Sequence, residues 1–238
     1  MSKVLADPEK IIKKTGCLYH TKKMKTFNCS KKKLKEINEN LFYVKDLKSI
    51  NVSYNLITEI SRNILNLEHL EKLVFYRNKI KEFPYFLSEL KNLKHLNLSY
   101  NLIESIDNNN NNNNHNDFEN LAYLNLSYNK ISIMNFECFK KLKNLNLSYN
   151  SMNEIDDSFY KLMNLKYINF KCNRIETINA SIFSMKLKKI ILSNNKIKNI
   201  ENDIKENFIL NHLDLSSNCL TEIKDSFDNF FQLQYLNF

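Results

Sequence analysis

Residues 144–150 read NLNLSYN, and the phrase recurs as YLNLSYN at 123–129, HLNLSYN at 95–101 and SINVSYN at 49–55. Aligned on the final asparagine, the register runs through Asn55, Asn78, Asn101, Asn129, Asn150, Asn173, Asn195 and Asn218, at spacings of 23, 23, 28, 21, 23, 22 and 23. Apolar residues stand eight, five and three places before each asparagine, as in Leu93, Leu96 and Leu98. Others follow two and five places after it, as in Ile80 and Phe83. Met24, Phe27, Cys29, Leu34 and Ile37 form an earlier copy with Lys32 in the asparagine's place, and Leu233, Leu236 and Phe238 begin a last one. Self-similarity at a fixed period of this length is the mark of stacked repeats.

The alternation around Leu96 and Leu98 has period two, which predicts a short strand with its leucines on one face. One repeat cannot bury that face alone, whereas stacked copies form a parallel sheet and a continuous core. The asparagine falls where the chain leaves the strand, and its short amide suits the backbone groups that a turn leaves unpaired. Ile64, Leu67 and Leu70, like Phe159, Leu162 and Leu165, then recur at steps of three, predicting a helical or 3₁₀ turn opposite the sheet.

The pattern LxxLxLxxNxIxxI resembles that of leucine-rich repeat proteins, in nine copies plus a truncated tenth over residues 24–238. The 23-residue period, with Phe83-Pro84 as one "FP" copy, is similar to the short intracellular repeats of plant Ras-group-related and Ras-suppressor-like proteins. This resemblance implies an α/β solenoid: a right-handed superhelix, a parallel sheet on the concave face, short helical or 3₁₀ segments on the convex face and a stacked asparagine ladder. It further implies a non-enzymatic scaffold or adaptor that binds a protein partner through the concave face. The alternative within the superfamily is a regulatory subunit of a type-1 protein phosphatase, whose repeats mostly run one residue shorter.

The single glycine, Gly16, excludes P-loops, dinucleotide fingerprints and kinase glycine-rich loops, which need glycine where backbone approaches phosphate. Cys17-x-x-His20 lacks the second half of a zinc site, and no nucleophile elbow or metalloprotease motif occurs. No cofactor, metal or catalysis is expected. There is no 18-residue apolar run to span a membrane and no long apolar secretory segment near the N-terminus. Five scattered cysteines without CxxC pairs suit free thiols in a reducing compartment. Asn-X-Ser triplets at Asn28, Asn51, Asn97, Asn125 and Asn146 fall in the expected strands, where glycans would crowd one face. A cytoplasmic location follows from these points.

The 28-residue interval carries DNNNNNNNHND (107–117), a polar tract without apolar anchors that is expected to be a disordered insertion, with His115 no metal ligand. Residues 1–23 form a basic lead-in whose Asp7, Pro8 and Gly16 predict a short capping helix, with Leu5, Ile11 and Ile12 over the open end of the core. Net charge is +9, and residues 1–50 hold 13 lysines against five acids. Lys10, Lys13, Lys14, Lys22, Lys23, Lys25 and Lys31 to Lys33 are therefore a candidate patch for an acidic partner. Few aromatics or arginines interleave with them, so specific nucleic-acid binding is not expected. The chain stops at Phe238 inside a strand; truncation is the preferred reading, and pairing of the open edge with another chain is the alternative.

The positions within and just after each strand that alternate with the leucines face away from the core. The residue before the asparagine reads Lys31, Tyr54, Arg77, Tyr100, Tyr128, Tyr149, Cys172, Asn194 and Ser217 along the stack. Beside it run Asn51, Val74, Asn97, Asn125, Asn146 and Asn169, whose amides are expected to bond one another across strands, with His95, Tyr123 and Tyr167 alongside. The candidate protein-binding residues are Tyr54, Arg77, His95, Asn97, Tyr100, Tyr123, Asn125, Tyr128, Asn146, Tyr149 and Tyr167, because rigid amphipathic tyrosines and arginines dominate interface hot spots. Inheritance by duplication and selection for binding both account for the tyrosine column.

Overall fold

Each repeat contributes a three-residue strand whose two outer residues point outward and whose middle residue, five places before the asparagine position, is buried in every rung but the last, where Leu236 is 41% exposed. In a computed structural model describing residues 24–107, 117–201, 206–221 and 229–238, ten such strands form one parallel sheet. They are β1 (Thr26–Asn28), β2 (Ser49–Asn51), β3 (Lys72–Val74), β4 (His95–Asn97), β6 (Tyr123–Asn125), β8 (Asn144–Asn146), β9 (Tyr167–Asn169), β11 (Lys189–Ile191), β13 (His212–Asp214) and β14 (Tyr235–Asn237). Their order in the sheet follows their order in the chain. The register keeps repeat positions in line: Leu73 pairs with Leu96, Leu96 with Leu124 and Leu124 with Leu145.

That alignment makes the core. The inward column from Ile50 through Leu73, Leu96, Leu124 and Ile190 to Leu213 is fully buried, as are Leu98, Leu126, Leu147 and Leu192 behind it. Removing one such leucine to alanine costs ~2–5 kcal/mol, so neighbouring rungs hold each other's fold. Phenylalanines fill the wider space toward the opposite side: Phe83, Phe118 and Phe139 meet with ring centroids 5.3 to 6.1 Å apart.

Among the described residues, the convex side carries single 3₁₀ turns, Glu39–Tyr43, Arg62–Asn66, Tyr85–Glu89, Glu137–Phe139 and Asp157–Lys161, and an α-helical turn, Ser181–Ser184. Asn38, Ser61 and Asp156 cap three of them by accepting a backbone N–H two residues on. Two short parallel pairs continue the chain past the ladder, β5 (Ser105–Ile106) with β7 (Ile133–Met134), and β10 (Thr177–Asn179) with β12 (Asn199–Glu201).

The expected capping helix in residues 1–23 and the asparagine tract from 108 to 116 lie outside the described residues. Cys138, Cys172 and Cys219 are free thiols. Cys29, buried on the first rung, is disulfide-bonded, which departs from the expectation of free thiols throughout.

Candidate binding face

The turn that leaves each strand is wired by the repeat asparagine. Asn101 is 6% exposed; its Nδ2 donates to Phe75 O at 3.0 Å and Leu98 O at 2.9 Å, and its Oδ1 accepts from Ile80 N at 3.0 Å. One amide therefore ties its own turn to the rung before it. The same wiring recurs at Asn55, Asn78, Asn129, Asn150, Asn173, Asn195 and Asn218. Buried polar groups need such partners, since each one left unsatisfied costs ~1–3 kcal/mol.

A second asparagine column does different work. Asn97, Asn125 and Asn146 each accept, through Oδ1, the backbone N–H two residues on, at 3.0 Å in all three cases. The hydroxyls of Ser99 and Ser127 add a second bond to the same oxygen, at 2.6 and 2.8 Å. These are Asx turns, and they correct the expectation of amides bonded across strands: the local N–H is nearer and is left free by the turn. Asp214 occupies the same column and makes the same pair of bonds to Ser216, so the position needs only an acceptor.

The residue between the two columns takes an unusual conformation. Lys31, Tyr54, Arg77, Tyr100, Tyr128, Tyr149, Cys172, Asn194 and Ser217 all have φ between 54° and 58°, the left-handed region, which costs an ordinary L-residue ~1–2 kcal/mol. What stabilises it is the next rung. Tyr54 N bonds Tyr76 O at 2.8 Å, Tyr100 N bonds Ser127 O at 2.8 Å and Tyr149 N bonds Lys171 O at 2.7 Å. The column consequently sits three residues beyond the strand ends, along the trailing edge of the concave face.

In that position the side chains stack. The rings of Tyr100 and Tyr128 lie 3.9 Å apart at 14°, and those of Tyr128 and Tyr149 4.0 Å apart at 10°. The Arg77 guanidinium lies 5.3 Å from the ring of Tyr54 and 4.9 Å from that of Tyr100, and the Lys31 ammonium stands 5.3 Å from Tyr54. Tyr76 was not singled out in the sequence because serine usually fills its column. It inserts edge-on between Tyr54 and Tyr100, at 5.0 and 5.1 Å. Hydrogen bonding to Tyr54 and burial raise the Tyr76 phenol pKa, and hydrogen bonding to Tyr128 does the same for Tyr100. An open hollow of about 470 Å³ runs along the stripe between Arg77, Lys79, Tyr100, Tyr128 and Tyr149.

His95 and Tyr123 belong to the strands, where their rings stack at 4.1 Å and 1°. Burial, with a smaller contribution from Lys72, lowers the His95 pKa to about 4. Tyr167 is 44% exposed on β9. At the leading edge, Glu71 binds Lys48 and Lys94, each at 2.9 Å, and these two lysines hold its carboxyl down to about 2. A further asparagine series lies outside the sequence-based expectations: Asn92, Asn120 and Asn164 each donate to a carbonyl one rung back, at 2.8 Å. Its signal was available, nine residues before the ladder. Among the described residues no cluster of His, Cys, Asp and Glu could hold a metal ion, and no helix is long and apolar enough to cross a membrane.

Comparison with known proteins agrees with this architecture. Leucine-rich repeat family models match residues 46–103, 140–197, 185–238 and 120–142. A search of curated proteins finds no sequence match. Among solved structures, the functional domain of InlJ from Listeria monocytogenes is similar at a TM-score of 0.70 and 22% identity, over 88% of this chain and 42% of that one. The internalin InlF from the same organism gives 0.64 and 23%, over 96% and 68%. A structure of a TLR13–ssRNA13 complex gives 0.68 and 26%, over 82% and 28%. This chain thus spans less than half the length of the InlJ chain it matches. With its rungs, ladder and sheet in register and family models matched over most of its length, this chain belongs to the leucine-rich repeat family.

Proposed function

We propose that the chain is a non-enzymatic interaction scaffold that takes a protein partner on its concave face, anchored on the aromatic stripe from Tyr54 to Tyr149. Leucine-rich repeat proteins are typically binding scaffolds. The observation that carries the finer reading is the stripe itself. Tyr54, Tyr128 and Tyr149 remain 37 to 40% exposed although each is fixed by ring contacts and an ordered backbone. Large rigid aromatics of this kind bind at little cost in side-chain entropy. Beside them, His95 and Tyr123 extend the surface onto the strands, while Asn97, Asn125 and Asn146 keep their amide N–H groups directed away from the Asx bonds. The 23-residue period keeps the Ras-suppressor-like type of repeat within this proposal.

The test is a Tyr100→Ala/Tyr128→Ala double variant. A partner identified by proximity labelling and then purified should lose more than ~2 kcal/mol of binding to the variant, while its circular dichroism and unfolding midpoint show an intact solenoid. Undiminished affinity for the folded variant overturns the reading.

A further inference from the structure

Among the described residues, basic charge gathers on the concave face. The positions from seven to one before each rung's asparagine make up the concave face and its edges. Over the ten rungs they hold eleven lysines and arginines against two acids, Glu71 and Asp214. Outside this face, residues 1–23 hold six lysines against two acids, and the rest of the chain holds 18 basic residues against 22 acids.

The two halves of the face differ. Near the N-terminal end Glu71 is clasped by Lys48 and Lys94. Further along, Lys143, Lys166 and Lys188 occupy consecutive rungs: Lys166 N bonds Lys143 O and Lys188 N bonds Lys166 O, both at 2.8 Å. Lys189 adjoins Lys188, and no carboxylate stands on this face between Glu71 and Asp214. On the opposite side lysines are paired with acids one rung away, as in Lys91–Glu119 at 2.8 Å, Lys140–Asp117 at 2.8 Å and Lys161–Glu137 at 3.2 Å. Among the described residues, Lys143, Lys166, Lys188 and Lys189 have no ion-pair partner. Tyr167, in line between Asn144 and Lys189, rises among them.

We propose that Lys143, Lys166, Lys188 and Lys189, with Tyr167 between them, dock an acidic α-helix of the partner protein, laid along the stack across the rungs. The proposal rests on the reading that the concave face binds a protein, and it names that protein's chemistry. Rungs of a parallel sheet stand ~4.8 Å apart, and an α-helix advances ~5.4 Å per turn. Carboxylates spaced three and four residues apart on one helix face therefore meet successive lysines, with an offset over three rungs of ~1 Å. A lysine's flexible four-carbon stem absorbs that offset. From the lysine edge to the column preceding the tyrosines is five residues, or ~17 Å of strand, and a helix with its side chains is ~10–12 Å across. Single-stranded nucleic acid fits less well, because it binds through bases stacked on open aromatic faces. The faces of Tyr100, Tyr128 and Tyr149 are packed on one another.

Fluorescence anisotropy with three labelled probes tests this. They are a helical peptide with glutamate at every third or fourth position, its glutamine counterpart, and single-stranded polyuridylate. The glutamate peptide should bind best, and its binding should weaken between low and physiological salt. A Lys143→Glu/Lys166→Glu/Lys188→Glu variant should lose at least ~10-fold in affinity, and the milder glutamine triple should lose less. Equal charge reversal at Lys81, Lys141 and Lys186, outside the face, should change affinity under ~3-fold. Equal binding of the glutamine peptide, an equal loss in the control reversal, or preference for polyuridylate overturns the proposal. If the acidic probe fails while the tyrosine double variant still loses its partner, the docking of a protein stands and only its acidic character falls.

Discussion

Two asparagines four residues apart, Asn97 and Asn101, should respond in opposite ways to the same one-atom substitution. Asn101 uses its Nδ2 as a donor to Phe75 O and Leu98 O and its Oδ1 as an acceptor from Ile80 N. Asn101→Asp keeps the acceptor but removes the donor and sets a carboxylate against two carbonyl oxygens at a site 6% exposed. Two buried carbonyls then lose their bonds at ~1 kcal/mol each, and desolvation of the charge adds ~1–3 kcal/mol. The total is ~3–5 kcal/mol. Asn97 acts only as an acceptor, from Ser99 N and Ser99 Oγ, and Asp214 already performs that role five rungs along the sheet in the same column. Asn97→Asp should therefore stay within ~0.5 kcal/mol of wild type. Urea unfolding followed by circular dichroism reads both. At a slope of ~3 kcal/mol per molar urea, Asn101→Asp should lower the midpoint by ~1 M or more and Asn97→Asp should barely move it. Equal losses at the two positions, or a wild-type midpoint for Asn101→Asp, would refute the assignment of separate roles to the two columns.

Other outcomes follow from the same geometry. With φ near 54°, Tyr128 should tolerate Asn, which Asn194 shows in the same column, better than Val, whose branched Cβ resists the left-handed region; Tyr128→Val should be ~1–2 kcal/mol less stable than Tyr128→Asn in the same unfolding assay. Glu71→Gln frees Lys48 and Lys94, so it should tighten binding of the glutamate peptide, and an unchanged or weaker affinity would count against charge as its basis. His95 should titrate near 4 in an NMR pH series instead of 6.5. Because the unfolded chain takes up that proton first, its contribution to stability is full above about 6.5 and is lost as pH falls toward 4. A His95 midpoint near its ordinary value would mean that the ring is not packed against Tyr123.

The rungs are legible in the sequence because each repeat announces its own strand. Alternating leucines around Leu96 or Leu145 select one face by a local period, and the recurrence of Asn101 and Asn150 sets how rungs align. Nothing distant is needed for either inference, and the parallel sheet follows from burial alone. The columns that depend on a neighbouring rung were hidden. Left-handed backbone at Tyr54, Tyr100 and Tyr149 has no glycine to mark it, because bonds from their N–H groups to carbonyls on the next rung stabilise it. Tyr76 joins the stripe only through rings on either side, and the sequence shows merely a break in a serine column. Asn97 and its equivalents were visible as a column, but whether their amides reach across strands or back along the chain depends on which N–H the turn leaves free. Periodic burial writes itself into a chain locally, whereas contacts between residues some twenty positions apart leave no mark until the rungs are stacked.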